Sequence, residues 1–455
     1  MPPALAAGRG RLEKDERVAK VTRLPARTSL LLLAAAAAVG LAPPPIDPRA
    51  PVRGPEAAAV RLVIGPYLQA VGRTQATVRW ETDGAIAGRL SWGRTPDCPH
   101  TVTELSEGTR HEVRLAGLLP ATRYWYRVDG AGAPPSPVSF ATEGDRASPL
   151  RMVVYGDTRT GHDAHALVVA GASARAPMLA IHVGDFVDAP TEESWRTFFA
   201  IEAPLISRLP LLPVLGNHEG DGRRYLQLFA LPDEGGGGGR FHSERWGLVA
   251  VLALDSQQSV RPGSPQYRWA EARLAGLAAD PDITFIFCVL HHGPYCAASG
   301  HGSNLEVRAH LVPLFERYGV DIVFSGHDHV YERSTVSGVK YVVTGGGGAP
   351  LHAAGHAWWT EVAASVFEYC VLDIEGATLA FTAVEAGTDR VIDAFRLAKR
   401  QRECADDQGC SDITPRGCPP GEAGRFRCLA GTCVWNCTQD TVSPRARRRL
   451  PCAPR

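Results

Sequence analysis

From Arg61 the chain alternates apolar and polar residues in short runs. Ala76-Thr77-Val78-Arg79-Trp80, Gly88-Arg89-Leu90-Ser91-Trp92, His111-Glu112-Val113-Arg114-Leu115 and Tyr124-Trp125-Tyr126-Arg127-Val128 each turn alternate side chains to one face, with turn residues between them. The pattern predicts an all-β sandwich over residues 60–144. From Leu150 the pattern lengthens to strand, loop and helix. Apolar runs at Met152–Tyr155, Met178–Val183, Leu211–Leu215, Val249–Leu254, Thr284–Leu290 and Asp321–Ser325 predict a layered α/β domain over residues 150–398. Lys340–Val343, Tyr369–Ile374 and Thr378–Val384 return to hairpin-like strands.

The two ends have a different character. Arg23 and Arg27 precede an apolar run of about 14 residues from Ser29 to Ala42, broken by Pro43, Pro44 and Pro45. That run is shorter than the ~18 to 20 residues that span a bilayer, and its small residues suit cleavage. Residues 1–42 are therefore expected to be an export signal, leaving no membrane span once cleaved, and 43–59 a linker. Seven of the eleven cysteines lie at or beyond Cys404. Residues 404–437 are expected to form a small disulfide-rich module, because so little apolar sequence cannot build a core without cross-links; 438–455 reads as a basic tail. Export, to the periplasm, the cell surface or the medium, agrees with that cysteine usage. Equal numbers of basic and acidic residues, 48 each, give no overall field toward nucleic acid. Oligomeric state is not legible.

The chemistry lies where the strands end. Gly156-Asp157, Gly184-Asp185, Gly216-Asn217-His218-Glu219, His291-His292 and Gly326-His327-Asp328-His329 each follow an apolar run. In an α/β sheet those ends converge on one crevice. Carboxylates, one amide and imidazoles without thiolate suit Zn, Mn or Fe. The glycine runs Gly235–Gly239 and Gly345–Gly348 lack phosphate-loop spacing; the first reads as a surface insertion, while the second follows a strand and permits close backbone approach. Arg333 and Asp255 read as structural.

These motifs, in this order, resemble the signature of the calcineurin-like metallophosphoesterases, and Gly326-His327-Asp328-His329-Val330-Tyr331-Glu332-Arg333 resembles the purple acid phosphatase branch. Leu118-Leu119-Pro120-Ala121-Thr122-Arg123-Tyr124 resembles the tyrosine corner of fibronectin type III domains, which that branch carries before its catalytic domain; Tyr124 is then structural. The resemblance covers about residues 60–398. It implies an α/β/β/α sandwich holding two metal ions: Asp185 bridging them, Asp157 and His329 on the first, and Asn217, His291 and His327 on the second. His291 is taken over His292 because it directly follows Phe287-Cys288-Val289-Leu290. His218 contacts phosphate or leaving group, or else orders a neighbouring ligand; His301 faces the substrate; Arg159 forks onto a phosphate. The implied activity is hydrolysis of phosphate monoesters by metal-held hydroxide, the alternatives being a phosphodiesterase with the same ions or a surface-binding protein that keeps the scaffold.

Two positions depart from the family. Asp188 stands three residues after Asp185, where the purple enzymes place a metal-binding tyrosine, and Arg159 stands where others place a histidine after the first Asp. The first metal is one ligand short, and His162, His165 or water are candidates to supply it.

Overall fold

The structure, a computed structural model, describes residues 59–132, 136–146 and 148–399 and the backbone of two strands, 423–429 and 432–438. The expected export segment, the linker up to residue 58, and the side chains of the cysteine-rich module and basic tail lie outside the described residues.

Five antiparallel strands form the N-terminal sheet: β1 (Leu62–Gln69), β2 (Gln75–Gly93), β3 (His100–Ala116), β4 (Arg123–Asp129) and β5 (Val138–Ala141). The two runs read separately at 76–80 and 88–92 are one strand, β2. Asp83 and Gly84 do not reverse the chain, because the pairing to β3 slips between Glu81 and Ile86 and then resumes. β4 alternates as its sequence predicts, burying Tyr124, Tyr126 and Val128. The Tyr124 hydroxyl accepts from the Leu119 N–H at 2.9 Å, a contact that ties the preceding turn to the strand. This sheet docks on the following domain: the Tyr126 hydroxyl donates to the Ser207 carbonyl at 2.7 Å, and Arg224 holds both oxygens of Glu81 at 2.9 and 2.6 Å.

The second domain contains β6 (Leu150–Tyr155), α1 (His162–Ala174), β7 (Leu179–His182), α2 (Glu192–Ile206), β8 (Leu211–Pro213), α3 (Arg223–Leu228), β9 (His242–Trp246), β10 (Val249–Leu254), α4 (Pro265–Ala279) and β11 (Phe285–His292). It continues with α5 (Leu305–His310), α6 (Val312–Arg317), β12 (Ile322–Gly326), β13 (Tyr331–Val336), β14 (Val339–Thr344), β15 (Thr360–Ala364), β16 (Glu368–Glu375), β17 (Thr378–Glu385) and β18 (Val391–Ala398). Beyond it, β19 (Ala423–Leu429) and β20 (Thr432–Thr438) pair as an antiparallel hairpin.

Two mixed sheets stack face to face. One has the order β18-β17-β16-β6-β7-β8 and the other β15-β13-β14-β12-β11-β10-β9. Met152, Val154, Leu179 and Ile181 of the first meet Val249, Val251, Phe287 and Phe324 of the second in one apolar layer. The opposite faces are also covered: Val153 and Tyr155 pack with Val168 of α1 and Phe198 of α2, and Ala250 and Leu252 pack with Leu274 of α4 and Phe315 of α6. Burial on both faces explains why these strands read as unbroken apolar runs. The parallel ladders β6-β7-β8 and β10-β11-β12-β14 point their C-terminal ends to one rim. The polar motifs stand on that rim.

Candidate dimetal centre

Each motif turns sharply as it leaves its strand. Asp157 and Asp185, both at φ +56°, and His327 at φ +71° lie in the left-handed region that side chains rarely adopt. Strain of this kind persists only where surroundings enforce it, and it concentrates at functional sites. The enforcing contacts are backbone to backbone. Gly347 and Ala349 donate to the carbonyls of Gly156 and Asp157 at 2.9 and 2.8 Å, so the second glycine run lies against the first motif as its composition suggested. A Cβ on Gly347 would meet the Gly156 oxygen at 2.0 Å, and one on Gly326 would meet Asp157 Oδ2 at 2.1 Å.

These turns bring the six expected ligands together. The candidate ligand atoms of Asp157, Asp185 and His291 lie within 4.8 Å of one another, and those of His291, His292 and His327 do likewise. His291 Nε2 is 3.3 Å from Asp185 Oδ1 and 3.2 Å from Asn217 Oδ1, while its Nδ1–H donates to the Val183 carbonyl at 2.9 Å. His329 is held the same way, its Nδ1–H donating to Pro350 O at 2.7 Å and its Nε2 lying 3.7 Å from Asp157 Oδ1. A backbone acceptor on one ring nitrogen aims the other at an ion. The His327 N–H donates to both oxygens of Asp157 at 3.0 and 3.1 Å.

Electrostatics agree with a cation site. Burial, with the neighbouring Asp185 charge, pushes Asp157 well above the usual carboxylate range. Burial also opposes ionisation of Asp185, yet its charge-assisted bond to His291 and the His218 N–H hold it below that range. Burial works against a charged His291 too, but the two carboxylates raise it to about 10. Burial lowers His327 to about 2, His292 to about 3 and His329 to about 4, so these rings are neutral and carry free lone pairs. Two buried carboxylates and several imidazoles, with one proton on His291 as the local cation, fit a pair of divalent or trivalent ions.

The remaining expected residues divide. Arg159 Nη1 donates to Asp188 Oδ1 at 2.8 Å, and its Nε lies 3.8 Å from Asp185 Oδ2. The two positions that depart from the family are therefore partners. The His218 Nδ1–H donates to the Asp188 carbonyl at 2.7 Å, leaving Nε2 3.8 Å from Asp185 Oδ2. His301 stacks on His327 with centroids 3.9 Å apart. His162 and His165 are not brought into either cluster: His165 is paired to Glu202 at 2.8 Å, and the exposed His162 stands at the start of α1. Arg333 pairs with Asp393 at 3.1 Å and Asp255 with Arg240 at 2.9 Å, as structural residues do.

Three contributors were not assigned from sequence. His292 joins the His327 cluster with its Nδ1 on Ser256 at 2.8 Å. Glu219 accepts from the N–H groups of Asp185, Phe186 and Gly216 at 3.1, 2.8 and 2.8 Å and so binds two ligand loops together. Its place in Gly216-Asn217-His218-Glu219 was the available signal. His352 stacks on His329 at 4.2 Å, and no motif marked it.

The calcineurin-like phosphoesterase family profile matches residues 150–331. An uncharacterised protein of Mycobacterium tuberculosis (strain H37Rv) is 27% identical over 270 residues, which cover 53% of this chain and 49% of that protein. Purple acid phosphatase 23 of Arabidopsis thaliana is 27% identical over 292 residues, 53% of this chain and 63% of the relative. The chain thus spans about half the length of the mycobacterial protein it matches. Among solved structures, the purple acid phosphatase PPD1 from yellow lupin (Lupinus luteus) seeds superposes with a TM-score of 0.65 at 20% identity, covering 78% of this chain and 76% of that one, which shows a shared fold. Residues 150–331 are a calcineurin-like phosphoesterase domain, in a chain that has purple acid phosphatases among its relatives.

Proposed function

We propose that this chain is an exported, metal-dependent phosphoester hydrolase acting on phosphate monoesters in the manner of acid phosphatases. The observation that carries the reading is the pair of ligand clusters, Asp157-Asp185-His291 and His291-His292-His327, at the ends of parallel strands. Asp185 would lie between two ions of Fe, Zn or Mn, with Asp157 and His329 on one side and Asn217, His291 and His327 on the other. Bound there, the ions would polarise the phosphoryl oxygens and acidify water. A scaffold kept only for binding has no use for buried charges that repel one another without a cation.

The chain's own side chains do the rest. Arg159, whose Nε lacks a hydrogen-bond partner among the described residues, offers a donor to a phosphoryl oxygen beside Asp185. His218 is fixed through Nδ1, which turns Nε2 toward the reacting group, where the imidazolium form would give its proton to the leaving oxygen. His301, stacked over His327, lines the approach.

The N-terminal sheet, residues 60–144, is assigned as a fibronectin type III-like domain that buttresses the catalytic domain of residues 150–398. The cysteine-rich module of 404–437 follows. Among the described residues no helix is long and apolar enough to cross a membrane. Assay of the purified chain with p-nitrophenyl phosphate and bis-p-nitrophenyl phosphate, with Mn, Zn or Fe added, tests the reading. Metal-dependent turnover that favours the monoester supports it; preference for the diester transfers the assignment to the phosphodiesterases, and no turnover with any metal removes it.

A further inference from the structure

Arg159 and Asp188 also form a wall of a cavity of about 290 Å³ set between the first turns of α1 and α2. The cavity touches the centre through that wall, because Arg159 Nε is 3.8 Å from Asp185 Oδ2. Its apolar lining is aromatic, from the buried rings of Phe186 and Phe198. Its polar lining is underused. The hydroxyls of Thr160 and Thr197 make no hydrogen bond among the described residues.

His165 supplies the directional feature. Its side chain is 1% exposed and its Nε2 lies 2.8 Å from Glu202 Oε1, while the Tyr155 hydroxyl donates to the other Glu202 oxygen at 2.8 Å. With Nε2 turned to that carboxylate, Nδ1 is left outside the pair. The ring lines the cavity, and no described residue donates to Nδ1.

We infer that this cavity receives the alcohol part of the phosphoester, and that this alcohol is a small, neutral, polyhydroxylated molecule the size of one sugar ring. The inference rests on the hydrolase reading above. Two threonine hydroxyls and an imidazole nitrogen match a run of hydroxyls, and aromatic faces suit the C–H side of a sugar. The Glu193 carboxylate, without an ion-pair partner among the described residues, disfavours an alcohol bearing further phosphates. A cavity at the small end of the ligand-site range suits a ligand of about one ring.

The test compares glucose 6-phosphate, fructose 1,6-bisphosphate and p-nitrophenyl phosphate in the wild type, the shape-conserving Thr160→Val/Thr197→Val variant and the cavity-filling Thr197→Trp variant. Both variants should lose about tenfold or more of kcat/KM for glucose 6-phosphate, and the valine pair should stay within about twofold on p-nitrophenyl phosphate. Equal loss on both substrates by the valine pair, no loss on either, or a wild-type preference for the bisphosphate overturns the inference. Saturation-transfer NMR with free glucose reads the cavity without turnover. A glucose signal present in the wild type and lost in the valine pair supports the site even where no phosphoester is hydrolysed, the result that removes the hydrolase reading alone; no signal, or one unchanged in the variant, counts against the site.

Discussion

His291 Nε2 stands 3.3 Å from Asp185 Oδ1, so one ring nitrogen occupies the point where the ends of β7 and β11 meet. With its carboxylate neighbours that ring holds a proton up to about pH 10. The proton neutralises charge that a metal would otherwise neutralise, and an imidazole must lose it to become a ligand.

Metal uptake should therefore release protons. At pH 7 to 8, Zn or Mn titrated into metal-free protein is expected to acidify an unbuffered indicator solution by at least about one proton per molecule. Uptake without proton release would show that His291 is not a ligand.

Removing the shared carboxylate tests the two-ion arrangement. Asp185→Asn keeps the shape and the hydrogen bond from the His218 N–H but deletes the charge between two cations. Metal content should drop and kcat/KM should fall by several powers of ten. Unchanged turnover in metal-analysed Asp185→Asn would end the two-metal assignment.

His291 and His292 differ in anchoring. His291 is fixed on the Val183 carbonyl and faces Asp185 and Asn217, whereas His292 is fixed on Ser256 and faces His327. His291→Ala should cost both metal affinity and turnover, and His292→Ala should cost about 10- to 100-fold less of each. The reverse ranking, read by metal analysis and kinetics together, would transfer the ligand role to His292.

The contrast between these two histidines marks how far sequence reaches. The layered α/β fold was legible because strands buried on both faces read as apolar runs, and the candidate cluster was legible because Asp157, Asp185, Asn217, His291 and His327 stand where those runs end. Local signals failed where only tertiary contact decides. β2 runs through Asp83-Gly84, a turn signal, because pairing with β3 continues on either side of it, with β1 alongside before it and β4 beyond it. His165 lies three residues after His162 at the start of the same helix, and only the packing of α1 on α2 pairs it with Glu202. His352 lies 23 residues from His329 in sequence, and no spacing rule links them.

Glu368 gives the domain a pH dependence outside the centre. Burial pushes its carboxyl up to about 8 although Thr344 donates to it at 2.9 Å and the Gly346 N–H lies near. The folded chain keeps a proton there that the unfolded chain loses near pH 4.3. This contribution to stability is complete below about pH 4 and declines as pH rises toward 8. Urea midpoints of metal-free protein at pH 5 and pH 8 should differ less in Glu368→Gln than in wild type. An identical pH dependence in both would show that Glu368 titrates normally.

Colour is the last consequence, and it follows from where the tyrosines go. A purple band needs a phenolate on ferric iron, and the position that supplies it in the family holds Asp188, paired here with Arg159 at 2.8 Å. The tyrosines nearest the motifs are engaged elsewhere: the Tyr155 hydroxyl donates to Glu202 at 2.8 Å and the Tyr331 hydroxyl to Asp393 at 2.6 Å. Burial and those carboxylates push both phenols far above the ordinary tyrosine range, so each rests as a neutral phenol tied to its carboxylate. Iron-loaded protein should show no strong absorption at roughly 500 to 600 nm, where phenolate-to-iron charge transfer falls. Loss of a hard anionic donor also weakens the preference for ferric iron, so protein loaded with two Mn or two Zn ions should turn over at least as fast as the iron form. A strong band in the metal-analysed protein would mean that a tyrosine leaves its carboxylate for the metal, and the ligand set would have to be redrawn around it.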